Sequence, residues 1–569
     1  MRRNRLIMGA VVAGCVGGGG TGPSTPSREP VSIATSPTDR TIAALQPAKL
    51  GGGSGELERA IAAYYERAAT RRSYIMTDKP LYQPGETIWF RADLRATGTL
   101  LGGQPVGLTM QLVSPRGAIV AQKRVLARDG LARNDFALAD TLEGGEYTIA
   151  MVADDGTQDG RKIVVNTYQA PRLQKTVELL RKAYGEGDHV TAAIEIKHAT
   201  GEAFADRAVT GVVTIDDAEL QHLAIKTDRD GKATARFQLP AKMQRGDGLL
   251  TILAEDGGVT ESIQKRIPIV MKTLQFALFP EGGELVDNVP GRVYFMARTL
   301  VGKPADVEGK VVDDRGATVA ELVSVHDGMG RFELLPSTDR RYQVVITKPA
   351  GITARFEVPV ARPGGCVIRS VDQGAASTLR VAAICNTSRR LAVEAVLRER
   401  RLGGGAFEVA AGEPTLVELP VDANAQGAVR VTLFSAGNEP LAERLVYHGM
   451  GRDLTITMTA DKQRYSPRDP VKLRVRTTDA DGKPVKANVG VAVVDETVLS
   501  FADDKSARIR ARMFLEPELG ATAADPIEEP NFYFGDQPEA AAALDALLAT
   551  RGYRRFEWRP IIGSLGGQP

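Results

Sequence analysis

Asp78-Lys79-Pro80-Leu81-Tyr82-Gln83-Pro84-Gly85-Glu86-Thr87-Ile88 decides how the chain is read, because the stretch occurs again as Asp461-Lys462-Gln463-Arg464-Tyr465-Ser466-Pro467-Arg468-Asp469-Pro470-Val471. A weaker third copy is Lys182-Ala183-Tyr184-Gly185-Glu186-Gly187-Asp188-His189-Val190. The common skeleton is a tyrosine, three residues, an acid, one residue, then Ile or Val. Tyr82 and Tyr184 lie 102 residues apart, and the 281 residues from Tyr184 to Tyr465 leave room for further units of similar length. Self-similarity at a fixed period is the mark of a repeat architecture. A second signature falls late in each unit. Asp129-Gly130 precedes Phe136-Ala137-Leu138, Asp230-Gly231 precedes Phe237-Gln238-Leu239, and Asp327-Gly328 precedes Phe332-Glu333-Leu334. Asp-Gly ahead of alternating apolar residues predicts a tight hairpin turn feeding a half-buried strand.

Residues 87–94 and 471–476 alternate apolar and polar positions, the period of a strand with one buried face. Short strands every 8–12 residues or so, in units of about 95 residues, predict antiparallel sandwiches of about seven strands. The fold class is therefore all-β, a tandem array of about five such sandwiches over 73–170, 171–272, 273–361, 362–451 and 452–504. A short N-terminal helix over 56–72 is expected from Leu57, Ala60, Ile61, Tyr64, Tyr65 and Ala68, which recur at helical spacing. Residues 505–569 read as an insertion ending in a helix, with Pro538 near its start and Leu544, Leu547 and Leu548 on one face. A net charge of +2, from 72 basic and 70 acidic residues in 569, offers no field for gathering nucleic acid.

Met1-Arg2-Arg3-Asn4-Arg5 is a basic leader, followed by a short apolar run that ends in Ala13-Gly14-Cys15. Residues 1–15 read as a secretory signal, and Val12-Ala13-Gly14-Cys15 resembles the bacterial lipobox, which makes Cys15 the expected site of lipidation. The other reading is an ordinary cleaved signal with an incidental cysteine. Residues 16–55, rich in Gly, Pro and Ser, are expected to form a flexible linker. The expected address is the bacterial cell envelope, with the membrane held through the N-terminal lipid.

Residues 77–90, Thr77-Asp78-Lys79-Pro80-Leu81-Tyr82 through Trp89-Phe90, resemble the opening of the second macroglobulin domain of the alpha-2-macroglobulin family. Val491-Ala492-Val493-Val494-Asp495-Glu496-Thr497-Val498-Leu499 resembles the strand that precedes the bait insertion in that family. Phe279-Pro280-Glu281-Gly282-Gly283-Glu284-Leu285-Val286 resembles a segment of its bacterial members. The resemblance covers about 73–560 and implies macroglobulin-like sandwiches. It also implies a non-catalytic protein that is cut in a bait segment and closes around a protease. Full members often add a thioester from a Cys-Gly-Glu-Gln stretch, which neither Gly365-Cys366-Val367-Ile368 nor Ile384-Cys385-Asn386-Thr387 matches. The expectation is thus an envelope lipoprotein, endopeptidase-inhibitor-like or protease-sensing without a thioester. The alternative is an adaptor associated with an envelope transporter or adhesin. The expected partners are proteins, either proteases or envelope proteins.

Cys366 and Cys385, 19 residues apart in one predicted sandwich of an exported chain, read as a disulfide; the other reading is two buried thiols. His189, His198, His222, His326 and His448 lack the one-turn spacing of a helical zinc site and read as surface or turn residues. Asp216-Asp217, Asp313-Asp314 and Asp503-Asp504 fall at strand ends or turns, where acids are mostly solvated. No nucleophile elbow, phosphate loop or His-Glu-x-x-His occurs, so no enzyme, metal or cofactor is expected. Arg508, Arg510 and Arg512 stand at the bait position. They read either as an exposed segment cleavable by trypsin-like proteases or as a solvated charge run. The aromatic cluster Phe532, Tyr533 and Phe534 downstream predicts an ordered excursion docked on a sandwich.

Overall fold

The computed structural model describes residues 36–166, 172–371, 377–422, 424–450, 454–466, 468–494, 508–521, 525–553 and 557–563. Cys15 and the signal lie outside the described residues, as do 495–507, which include the second half of the strand expected before the bait.

The repeated skeleton is a hydrogen-bonded device. In the first unit the Tyr82 hydroxyl donates to Asp78 Oδ1 at 2.6 Å, and the Trp89 amide donates to the same oxygen at 3.0 Å. Tyr465, Asp461 and Lys472 repeat this at 2.6 and 3.1 Å. The acid four residues after each tyrosine accepts the amide of the residue just after that tyrosine. Glu86 takes Gln83 N–H at 2.8 Å, Asp188 takes Gly185 N–H at 2.9 Å, and Asp469 takes Ser466 N–H at 3.0 Å. The skeleton thus closes the turn between two strands by satisfying its buried or crowded amides. Asp129-Gly130 and Asp327-Gly328 both have positive φ (50° and 70°, 48° and 72°), the conformation of a two-residue hairpin turn that matches strand twist.

Four sandwiches follow one plan. The first pairs a three-stranded sheet (Arg71–Thr77, Thr87–Ala96, Leu131–Ala137) with a five-stranded one that includes Val106–Val113 and Gly145–Ala153. The second and fourth each pair three strands with four, and the third is a single seven-stranded sheet folded over its own core. Inward positions alternate along the strands, so that Leu108, Met110 and Leu112 meet Ile75, Ile88 and Phe90 in the first core. In the fourth, Cys366 and Cys385 stand opposite each other on adjacent antiparallel strands and are disulfide-bonded.

Three expectations are corrected. Within 452–504 the described residues form a two-stranded hairpin, Thr455–Ala460 with Leu473–Thr478, rather than a sandwich. A sandwich needs about seven strands in about 100 residues, and this stretch holds half that length. Residues 36–55 of the expected linker are docked. Ser36 caps the helix Pro37–Ala43 by accepting Asp39 N–H at 3.1 Å, Ile42 packs on Ala382 and Leu416, and Gly51 bridges to Ala406. The apolar residues Ile42, Leu45, Ala48 and Leu50 outweigh the Gly/Pro composition there. The amphipathic helix runs Gly55–Arg67, capped by Ser54, and the first strand begins at Arg71, two residues before the expected boundary.

Candidate functional site

Arg508, Arg510 and Arg512, read from sequence as a bait-like segment or a solvated run, are not extended in the described structure. Arg510 and Arg512 lie in the helix Ile509–Phe514, and Arg508 is its N-cap, with its amide donating to Asn531 Oδ1 at 2.8 Å. Arg510 stacks on Phe534, 4.3 Å from guanidinium carbon to ring centroid. Arg512 reaches the first sandwich, bonding Asp159 Oδ1 at 2.6 Å and the Ser73 carbonyl at 3.3 Å, and pairs with Glu516 one helical turn on at 3.3 Å. From the other side, Arg72 of the first sandwich donates to the Met513 carbonyl and to Glu518. Burial and the neighbouring Arg72 cation push Arg398, beside Phe514, down to about 10. A protease reads its substrate as an extended strand. A docked helix must first open locally to be cut.

Downstream, the excursion fills the seam between the third and fourth sandwiches. Leu515, Leu519, Ile527, Tyr533, Leu544 and Leu547 are buried against Tyr294, Met329 and Leu445. The expected aromatic docking is realised by Phe532, which stacks on His326 with ring centroids 3.7 Å apart, and by Tyr533 at right angles to the same ring. His326 and His448 are therefore not surface residues; His448 is buried, and the His326 side chain is 11% exposed. Strand pairing and the 532–534 turn cover them, and no local spacing announces that. Burial holds His326 below its usual pKa, with Lys182 adding to the shift and Asp327, Asp306 and Glu529 opposing it. The folded state therefore binds fewer protons than the unfolded one, and stability is present above about pH 6.5 and lost as pH falls through the depressed value. The protection of 525–534 against hydrogen exchange, relative to the intrinsic rate at each pH, is expected to fall between pH 7.5 and 5.5 in the native protein. His326→Phe keeps the stack and should remove that pH dependence.

Beneath the Ala540–Thr550 helix lies a charge network that joins four parts of the chain. Arg444 of the fourth sandwich donates to Glu281 Oε1 at 3.1 Å and to Asp545 Oδ1 at 2.7 Å. The Tyr294 hydroxyl donates to Asp545 Oδ2 at 2.6 Å, and the Ser370 hydroxyl to Oδ1 at 3.0 Å. A second tier contains fully buried Arg369, whose Nη2 donates to both carboxylate oxygens of Glu333 at 2.7 and 2.9 Å. There Arg292 pairs with Glu281, Glu333 and, on the helix Pro37–Ala43, Asp39. Burial raises the Asp545 carboxyl, but Arg444, Arg331 and Arg292 outweigh it and hold the group below its ordinary value. Sequence reasoning did not single out these residues. The signal was present in Asp545, the one charge in the apolar helix AAAALDALLAT, and in Arg292 and Arg369 inside apolar strands.

Both ends of the described chain meet on the outer face of the fourth sandwich. Leu57, Ala60 and Ile61 of the N-terminal helix and Trp558 and Ile561 of the last turn share one cluster with Phe434. Trp558 Nε1 donates to Glu443 at 2.8 Å and meets the Phe434 ring edge-on. Beside it runs a groove of about 950 Å³ lined by Gly282, Glu284, Arg362, Cys366 and Trp558. Among the described residues no group of three or more His, Cys, Asp or Glu is placed to hold a metal ion, and no helix is long and apolar enough to cross a membrane.

Comparison with known proteins gives two family models: the MG2 domain over 72–165 and the alpha-2-macroglobulin bait region domain over 369–501. Alpha-2-macroglobulin of Ralstonia nicotianae is 24% identical over 475 residues, covering 75% of this chain and 30% of its own length. That of Pasteurella multocida is 24% identical over 159 residues, 26% of this chain and 8% of its own. The chain thus spans less than a third of the length of these relatives. Trypsin-activated alpha-2-macroglobulin from Escherichia coli is similar in structure with a TM-score of 0.43 and 15% identity, covering 77% of this chain and 34% of that one. The chain thus matches the MG2 domain at its first sandwich and the alpha-2-macroglobulin bait region domain from the fourth sandwich into the hairpin, and it is similar to bacterial alpha-2-macroglobulin over three quarters of its length.

Proposed function

We propose that the chain is a non-catalytic macroglobulin-type protein that senses proteases sterically, without a thioester. The observation that carries this reading is the placement of Arg510 and Arg512. They come after the residues matched by the bait region domain, 369–501, and sit in a helix bonded to the first sandwich, while the same excursion fills the seam between the third and fourth. Cutting there requires the helix to open, so proteolysis and release of the clasp are one event. Losing the Asp159–Arg512 pair should cost about 1.5 kcal/mol and make opening roughly tenfold more frequent. In limited trypsin digestion, Asp159→Ala is expected to raise the rate of cutting after Arg510 and Arg512 by about that factor. Small-angle scattering of the cut native protein should show a change in shape. Cuts that leave the shape and the turnover of large substrates by the protease unchanged would sink the reading.

The protein is further proposed to be held in the bacterial envelope by lipid on Cys15, on the strength of its lipobox-like context. Several acyl chains anchor stably at about 0.8 kcal/mol per buried CH₂. Cys15→Ala should move the protein from the membrane to the soluble fraction; retention with membranes defeats this. The alternative role, an adaptor within the envelope, draws on the exposed apolar face of the 455–478 hairpin.

A further inference from the structure

Asp545 is held in the manner of a bound ligand. It is the one charged residue of the helix Ala540–Thr550, AAAALDALLAT, and aspartate is a weak helix former with no cap to make at an interior position. Four donors converge on its carboxylate, and none belongs to the helix. Oδ1 takes Arg444 Nη2 at 2.7 Å and the Ser370 hydroxyl at 3.0 Å. Oδ2 takes the Tyr294 hydroxyl at 2.6 Å and Arg331 Nη1 at 3.2 Å. Tyr294 and Arg331 stand opposite each other on paired strands of the third sandwich, and Ser370 and Arg444 on strands of the fourth. Two donors on each of two oxygens is the pattern that reads a planar carboxylate.

The socket is built without the helix. Glu281 fixes two of the donors, accepting Arg444 Nε at 3.1 Å and the Ser370 amide at 2.8 Å on one oxygen. Four arginines, Arg292, Arg331, Arg369 and Arg444, face three acids other than Asp545, namely Glu281, Glu333 and Asp39. One positive charge is thus left for an anion to balance. The Asp545 side chain is 27% exposed, which gives the socket an opening to solvent. While the chain is intact, Asp545 is tied covalently to the socket and acts at a high effective concentration. A cut after Arg512 severs residues 513 onward from the sandwiches, and all three cysteines lie before it, so no disulfide holds them. Asp545 then occupies the socket as a separate molecule would.

We propose that this socket is a carboxylate-binding site, filled by Asp545 in the intact chain and taken over by a free carboxylate once the clasp has been cut. The ligand class is an aliphatic carboxylate such as the C-terminal group of a peptide, which hydrolysis of a peptide bond produces. The apolar seam beside the socket, where Leu544, Leu547 and Leu548 pack with Tyr294, Met329 and Leu445, accepts an aliphatic terminal residue. The takeover ends re-docking of the helix, so it makes release of the clasp depend on a second signal after the cut. The site stands without the protease reading; only its unmasking by a cut rests on that reading.

Two probes separate the two statements. In the full chain carrying Asp545→Ala, formate has the size and charge of the missing carboxylate. It should raise the unfolding temperature saturably, while sodium chloride at the same ionic strength should not. Adding Arg331→Gln should weaken the apparent formate affinity about tenfold or more, the loss of one charge-assisted donor. Formate and chloride acting alike, or a formate effect indifferent to Arg331→Gln, overturns the site. The second probe is N-acetyl-leucine, titrated by calorimetry into the native protein before and after trypsin. Saturable binding is expected only after the cut, and N-acetyl-leucinamide, which lacks the carboxylate, should not bind. Equal binding of acid and amide to the cut protein overturns the site even where Asp545→Ala fails to fold. A formate effect in Asp545→Ala without N-acetyl-leucine binding to the cut protein overturns the takeover. Failure of the protease reading shows separately, as cuts that leave the shape unchanged, and does not touch the formate result.

Discussion

Replacing Arg444 by methionine is expected to cost about 3–5 kcal/mol and to free the C-terminal helix, because it removes one partner from a buried charge network and leaves the others uncompensated. The Arg444 side chain is 2% exposed and Glu281, which it pairs with, 1%. Methionine fills much of the same volume, so the loss is electrostatic rather than a cavity. Glu281 Oε1 would keep only the Ser370 amide at 2.8 Å as a close donor, and Asp545 would lose its shortest cationic contact. Burial lowers the pKa of Arg444, but Asp545, Tyr294 and Glu281 more than restore it, so the guanidinium stays charged throughout. Denaturant unfolding measures the cost, and hydrogen exchange over 540–550 measures the release. Lys303→Met, which removes an exposed partner of Glu528, should cost under about 1 kcal/mol in the same assay. The network also sets an acid limit. Asp39 and Asp545 are both held below 3.8, so their contribution is whole above that value and is lost as pH falls through the depressed one.

The second large effect is expected from the disulfide. Replacing Cys366 and Cys385 together by serine should cost about 3 kcal/mol on the loop-entropy estimate for a closed loop of this length, 19 residues. Both sulfurs lie in the core of the fourth sandwich with Ile368, Val381 and Val417, so serine hydroxyls there would add a desolvation cost. Since that sandwich carries the N-terminal helix, the last turn and Arg444, its loss should undock both arms. Thermal unfolding of the native protein with and without reductant checks this, and the serine variant should be insensitive to reductant.

What could be read from the sequence was what local chemistry encodes. The Tyr-to-acid skeleton closes a turn with its own residues, and Asp129-Gly130 and Asp327-Gly328 supply positive φ themselves, so both were visible without the rest of the fold. Period-two alternation then gave the sandwiches. The fifth unit misled because its repeat motif is intact in sequence and in hydrogen bonding; what it lacks is the distant cover, which no motif reports. Residues 36–55 misled because glycine and proline composition hides Ile42 and Leu45, which find Ala382 and Leu416, and Ala48 and Leu50, which pack on the core of the fourth sandwich, all distant in sequence. At the site, Arg508, Arg510 and Arg512 read in sequence as an exposed segment or a solvated charge run, whereas in the fold they belong to a docked helix and its cap. Their partners Asp159, Ser73 and Phe534 belong to other elements, and only the tertiary fold turns a charge run into a docked helix.

The most direct test is hydrogen exchange of the full native chain, comparing 509–514 and 540–550 with the central strand Gly427–Ser435 of the fourth sandwich. If residues 508–563 form a clasp over the sandwiches, 540–550 should be protected nearly as well as that strand, and 509–514 should be protected less but measurably. Both should deprotect together after trypsin cuts at Arg510 or Arg512. Exchange of both segments at the rate of unstructured chain, before any cut, would contradict the clasp and with it the coupling of proteolysis to shape.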